Sequence, residues 1–173
     1  YGPAASIVRE AEQIYRSMGR ITVQLKKPAV GHIANRLASA LWREAVNILA
    51  EGIADVEDID AALVHGPGLR WSIVGAHMAY HLGGGPSGIE YYLKHLGPSQ
   101  ERRWSTLGNP KLTPEVCEMI IAGIAREAGG RSISDLEAER DRNLVAVLKA
   151  RQLPEHRGRK EGAALLLLMR WKR

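Results

Sequence analysis

The sequence predicts an all-α domain entered through a single helix–strand unit. Three observations carry the prediction. Past Lys26-Lys-Pro28 the apolar residues recur at intervals of three and four. Glycine, proline and N-cap residues punctuate these stretches at helix-length spacing. Period-two alternation, the mark of a strand, is convincing once, at Ile21-Thr-Val-Gln-Leu25. One strand cannot satisfy its own backbone hydrogen bonds, and even an isolated pair is marginal. Residues 6–18 and 21–25 therefore read as the last helix and strand of a sheet lying upstream. The chain, which starts at Tyr1, reads as truncated.

Each element has a local reason. In residues 6–18, Ile7, Ala11, Ile14 and Tyr15 share one face, and Gly19 supplies a C-terminal stop. Residues 30–51 predict a long helix with Ile33, Leu37, Leu41, Ala45 and Ile48 along one side, closed by Gly52. Asp55 is placed as the N-cap of a helix running to about Val64, with acids in its first turn where the helix dipole favours them. Gly66-Pro-Gly68 breaks the chain, and Leu69 to His81 is helical again. Ser87-Gly-Ile-Glu90 has the form of a capping box opening a helix that Gly97-Pro98 should terminate. A short helix is expected over Gln100–Leu107. Thr113-Pro114 gives an N-cap followed by proline, and the helix it opens ends at Gly129-Gly130. A last, charge-laced helix is expected over about Ser134–Lys149.

Composition bounds the function. The 173 residues are 45% hydrophobic and 25% charged, ordinary for a globular protein. The net charge of +5 owes much to His156-Arg-Gly-Arg-Lys160 and Arg170-Trp-Lys-Arg173. Such clusters read as a solvated, loosely ordered tail over 151–173, and no nucleic-acid partner is expected. The apolar run Ala163–Met169 is far shorter than the roughly 20 residues that span a bilayer, so no membrane partner is expected either. Cys117 stands alone in a helical pattern, which reads as a buried, inert thiol in a reducing cytoplasm.

One string imitates a nucleotide loop: His81-Leu-Gly-Gly-Gly-Pro-Ser-Gly88 contains G-x-G-x-x-G at Gly83, Gly85 and Gly88. A dinucleotide loop needs a strand before it, a helix after it and an acid about 20 residues on. Here the preceding residues have helical spacing and no strand follows, so the glycines read as a helix–helix connection. His77 and His81 stand four apart, a spacing that can hold zinc, but no third ligand lies at motif spacing and no metal is expected.

Lys26-Lys-Pro-Ala-Val-Gly-His-Ile-Ala-Asn-Arg-Leu37, continued by Trp42-Arg-Glu-Ala45, Glu51-Gly52 and Asp58-Ile-Asp60, resembles the 3-hydroxyacyl-CoA dehydrogenase family. Gly66-Pro-Gly-Leu-Arg-Trp71 and His81-Leu-Gly-Gly-Gly85 look most like the branch holding the L-carnitine dehydrogenases and the lambda-crystallin type gulonate dehydrogenases. The resemblance covers about residues 6–150. It implies a helical C-terminal dehydrogenase domain of the 6-phosphogluconate dehydrogenase C-terminal-like kind over 28–150, which closes the substrate cleft and forms a homodimer. Residues 1–27 would be the remnant of an upstream Rossmann domain that binds NAD and carries the catalytic His. The implied reaction is oxidation of a 3-hydroxyl to a ketone in a 3-hydroxyacyl-CoA or a small 3-hydroxy acid. The fragment alone is expected to be inactive. The rival from a different class is a non-enzymatic helical interaction module whose basic tail binds acidic partners.

Asn35 is the first candidate for chemistry, with a cap or surface asparagine near the helix start as its alternative. The resemblance implies that this asparagine lies near the catalytic His and the substrate oxygen, and an amide can donate or accept there without titrating. Ser39 and Trp42 share its stripe, and Ser39 is a substrate-binding candidate with it. Arg70, after the Gly-Pro-Gly loop, could grip a substrate carboxylate with two parallel hydrogen bonds, in its own subunit or across a dimer; a structural pairing with a nearby acid or a helix terminus is the alternative. His81 is placed at the edge of the substrate cleft, with a structural role as its alternative. Trp42, Trp71, Tyr91 and Tyr92 read as core or subunit interface.

Overall fold

A computed structural model describes residues 4–152. Helix α1 spans Ala5–Ser17, and Gly19, at φ +72°, turns the chain back. Residues 20–25 then run beside α1, with the Arg16 Nε donating to Thr22 Oγ1 at 3.3 Å. The expected strand is a correction: no strand forms at 21–25, because no other described backbone lies alongside to complete a ladder. Ile21 and Val23 stay 92% and 72% exposed, so the alternation has no partner among the described residues.

Gly31 and His32, at φ +74° and +51°, make the turn into α2 (His32–Ala50). α3 (Val56–Leu63) follows Asp55, whose backbone is extended as an N-cap requires although its side chain makes no capping bond. Val64–Gly68 is one wide turn of π-helix, non-helical at Gly66, and leads into α4 (Leu69–Ile73). The single helix expected from Leu69 to His81 is broken at Val74, whose backbone is extended, so α5 starts afresh at Ala76–Gly83. After a 3₁₀ turn at Gly85–Ser87, α6 covers Gly88–Trp104. α7 is Pro114–Ala128 and α8 is Ile133–Gln152. The basic clusters and the apolar run of the tail lie outside the described residues.

Two expectations around α6 fail together. Ser87 makes no capping bond, because its backbone (φ −89°, ψ −4°) already belongs to the 3₁₀ turn rather than to the extended entry a capping box needs. Gly97-Pro98 does not stop the helix, and the separate helix expected over Gln100–Leu107 is instead the end of α6. Pro98 forfeits one backbone bond, but the residue before it is glycine and has no Cβ for the proline ring to strike. At α7 the expectation holds: Thr113 Oγ1 accepts from the Val116 N–H at 3.4 Å, and Gly129 closes the helix at φ +58°.

α2, α3 and α7 pack on one another, with Val46, Leu49 and Val56 buried between them. Gly123 lets α7 approach α3, since a Cβ there would stand 2.2 Å from Val56 Cγ2. Asn47 is buried against Gly108, whose N–H donates to Glu44 Oε2 at 2.9 Å. Glu127 on α7 has its carboxyl raised above the usual range, first by burial and then by Asp60 and Glu57 of α3. Cys117 is half-buried, short of the buried thiol expected of it. α4, α5 and α6 form a second group, centred on Tyr92. Much apolar surface stays uncovered: Leu37 on the expected core stripe of α2 is 67% exposed, because no described element lies over that half of the helix.

Candidate functional site

The tight turn at Gly31-His32 delivers Asn35 to the first turn of α2, where backbone N–H groups lack intrahelical partners and the helix end is positive. Asn35, Ser39 and Trp42 follow at i, i+4 and i+7, and all three are exposed along one face. An amide held there can meet a substrate oxygen as either donor or acceptor.

Arg70 stands on α4, two residues past the π-helical bend. Gly68 is required in that bend, for a Cβ would lie 2.7 Å from the Leu63 carbonyl oxygen. The guanidinium is exposed and forms no ion pair with an acid among the described residues.

His81 has a defined local task. Its Nδ1 accepts from the Ile89 N–H at 3.1 Å, taking up one free donor at the start of α6. That bond puts the proton of the neutral ring on Nε2. Gly83, Gly85 and Gly88 lie at the end of α5, in the 3₁₀ turn and at the start of α6, so the glycine string joins two helices. Gly88 adopts φ +62° and ψ −148°, and a Cβ there would fall 2.5 Å from the His81 ring. No group of three His, Cys, Asp or Glu side chains suited to a metal occurs among the described residues.

Between α5 and α6 lies a cavity of about 510 Å³, lined by Tyr80, Ile89, Tyr92, Leu93, Glu101 and Trp104 among others. The Tyr80 and Tyr92 rings stand 5.0 Å apart at 42°, and the Tyr92 hydroxyl accepts from Gln100 Nε2. The sequence places Tyr92 in the core or a subunit interface, and its 9% exposure matches the first; Tyr80, Glu101 and Trp104 carry no such expectation. The signal was there: Ile89, Leu93, Gly97, Gln100 and Trp104 follow at i, i+4, i+8, i+11 and i+15. It was hidden by ending the helix at Pro98.

The candidates fall into two groups. Asn35 and Ser39 ride on α2, which packs on α3 and α7; Arg70 and His81 stand on α4 and α5, and neither lines the cavity. No residue among the described ones offers a dinucleotide loop in the required setting, since the only G-x-G-x-x-G string follows a helix instead of a strand.

Residues 31–119 match the 3-hydroxyacyl-CoA dehydrogenase family at its C-terminal domain, and this span holds both groups. The chain is 44% identical over 147 residues to the L-carnitine dehydrogenase of Streptomyces coelicolor, covering 85% of this chain and 46% of that protein. Against the L-carnitine dehydrogenase of Pseudomonas aeruginosa the identity is 40%, with the same coverage of 85% and 46%. The fold is similar to the solved 5-formyl-3-hydroxy-2-methylpyridine 4-carboxylic acid 5-dehydrogenase, an NAD+-dependent dismutase, at TM-score 0.58 and 27% identity over 88% of this chain and 50% of that one. The chain thus spans just under half the length of these curated relatives.

Proposed function

Because this chain belongs to the 3-hydroxyacyl-CoA dehydrogenase family and carries its C-terminal domain, we propose that it supplies the substrate-holding half of an NAD-dependent 3-hydroxy-acid dehydrogenase. The observation that carries the reading is the 44% identity to an L-carnitine dehydrogenase along 85% of the chain. The reaction is oxidation of a 3-hydroxyl to a ketone, with a small hydroxy acid favoured over a 3-hydroxyacyl-CoA. The described residues do not fit a dinucleotide, so NAD contacts fall to sequence outside them. Residues 1–27 act as the last helix and would-be strand of that nucleotide domain, whose partner strands would cover Ile21 and Val23. Residues 28–150 close the cleft and pair with a second copy, which would cover the apolar half of α2. The enzyme works in the cytoplasm; no described helix is long and apolar enough to cross a membrane.

Asn35 holds the reacting oxygen as its charge changes, with Ser39 beside it, while Arg70 takes the substrate carboxylate through its free guanidinium. His81 shapes the cleft by fixing the α5–α6 connection, with Nε2 left free toward substrate. In the full-length enzyme, Asn35→Ala is expected to lower kcat at least about tenfold, since removing a single oxyanion donor commonly costs 10²–10³. Affinity for NAD should stay near normal, and Arg70→Lys should raise KM for the hydroxy acid. Unchanged turnover in Asn35→Ala would sink the assignment.

A further inference from the structure

The connection between α5 and α6 is closed by a bond that a proton can break. We propose that His81 is a pH-operated latch: neutral, it ties the end of α5 to the first turn of α6, and protonated, it releases that turn. The Ile89 N–H donates to His81 Nδ1 at 3.1 Å, using the single acceptor nitrogen that a neutral imidazole offers. An imidazolium carries N–H on both nitrogens, so donor would face donor and the bond is lost. A second effect has the same sign. The first turn of α6 has unpaired N–H groups that make the helix end positive, so a charged ring is repelled from the place the neutral ring occupies.

The surroundings give the charged ring no other hold. A Cβ on Gly88 would stand 2.5 Å from His81 Cε1, so the imidazole lies directly against that glycine's backbone. Ser87, whose hydroxyl could take a first-turn N–H in place of the ring, makes no capping bond. On α5 itself His77 lies one turn before His81, and Tyr80 pairs with Tyr92 of α6. α6 carries Glu90 beside Ile89, with Lys94 and His95 a turn further on; α4 carries Arg70, and the 3₁₀ turn carries no titratable group. Glu90 is the one nearby carboxylate in that first turn, and it forms no ion pair with His81. Arg70 and Lys94 oppose a further positive charge. Both helices wall the cavity of about 510 Å³, so the latch sets how firmly that space is closed at its α5–α6 end. It operates whatever the cavity receives, and whether or not the chain serves a dehydrogenase.

Amide hydrogen exchange in the full-length protein tests the latch, each rate being taken relative to that of an unstructured amide at the same pH. Protection of the Ile89 N–H should fall about fivefold between about pH 7.5 and about pH 5.5, the range in which an imidazole ordinarily changes charge. A fivefold loss lies within what one hydrogen bond is worth on balance. Val116 is the internal control: its N–H is held by the Thr113 hydroxyl, which does not titrate, so its protection should change less than about twofold. His81→Asn sets an amide oxygen near the position of Nδ1, and should keep Ile89 protected while abolishing the pH step. His81→Leu should leave Ile89 unprotected throughout. If either variant fails to fold, the comparison of Ile89 with Val116 in the unaltered protein still decides. Protection of Ile89 that stays flat across the range would overturn the proposal. So would a fall matched by Val116, which would mean general loosening, or a pH step that survives in His81→Asn, which would place the proton elsewhere.

Discussion

Gly88→Ala tests the α5–α6 connection on which Arg70's neighbourhood and the cavity both depend. Its backbone at φ +62° and ψ −148° lies where only glycine sits without strain, and forcing alanine there costs about 1–3 kcal/mol. The new Cβ would also stand 2.5 Å from His81 Cε1 and 2.8 Å from Nδ1, so the imidazole must swing away. It then abandons the Ile89 N–H, adding about 0.5–1.5 kcal/mol. The sum is about 2–4 kcal/mol, with no helix-propensity gain to offset it because the position is not helical. With an m-value of about 2 kcal/mol/M, the urea midpoint should fall by about 1–2 M. Gly85→Ala is the control, since that residue shares φ +62° but has nothing within 4 Å; it should lose only about 1 kcal/mol. In a His81→Ala background, Gly88→Ala should cost about 1 kcal/mol less, which isolates the ring contact. A midpoint shift for Gly88→Ala no larger than that of Gly85→Ala would refute the reasoning.

Two further outcomes follow from the α3–α7 contact. Gly123→Ala gains up to about 1 kcal/mol of helix propensity, but its Cβ would meet Val56 Cγ2 at 2.2 Å and Cβ at 2.7 Å. Overpacking of about 1–3 kcal/mol therefore wins, the chain should melt earlier, and Val56→Ala in the same chain should reverse the sign. Glu127 has its pKa raised on folding, so whatever stability its protonation gives is present in acid and lost as pH rises through the folded value. Glu127→Gln should accordingly stabilise the chain at neutral pH by a few tenths of a kcal/mol, since the half-buried site is still screened by solvent. The gain should vanish below about pH 4.5, and a gain that persists in acid would exclude the electrostatic cause.

What the sequence made legible follows from how local the physics is. α7 could be placed by its cap and stop because Thr113, Pro114 and Gly129 act within one turn of themselves. The same local reasoning placed the glycine string between helices, since helical spacing before Gly83 could be read without knowing the fold. It failed where a neighbour decides. Ser87 offered a capping box, yet a histidine six residues earlier took the donor at Ile89. Gly97-Pro98 looked like a stop because proline usually is one, and the glycine that relieves it was read as part of the break. Residues 21–25 carried a strand's pattern but met no second strand to pair with. The cavity needed α6 to be continuous before its five-residue stripe could appear. Asn35 is singled out only by its resemblance to a family motif, whereas the exposure of Arg70 without an ion-pair partner required the three-dimensional arrangement.

The central claim is that this chain is the substrate-holding part of a dehydrogenase. It is tested most directly in the full-length protein, by following NAD reduction with carnitine, gulonate and a 3-hydroxyacyl-CoA side by side. Reduction is expected with a small carboxylate-bearing hydroxy acid, carnitine foremost, lost in Asn35→Ala. Reduction with none of the three by a folded, NAD-binding protein would contradict the account.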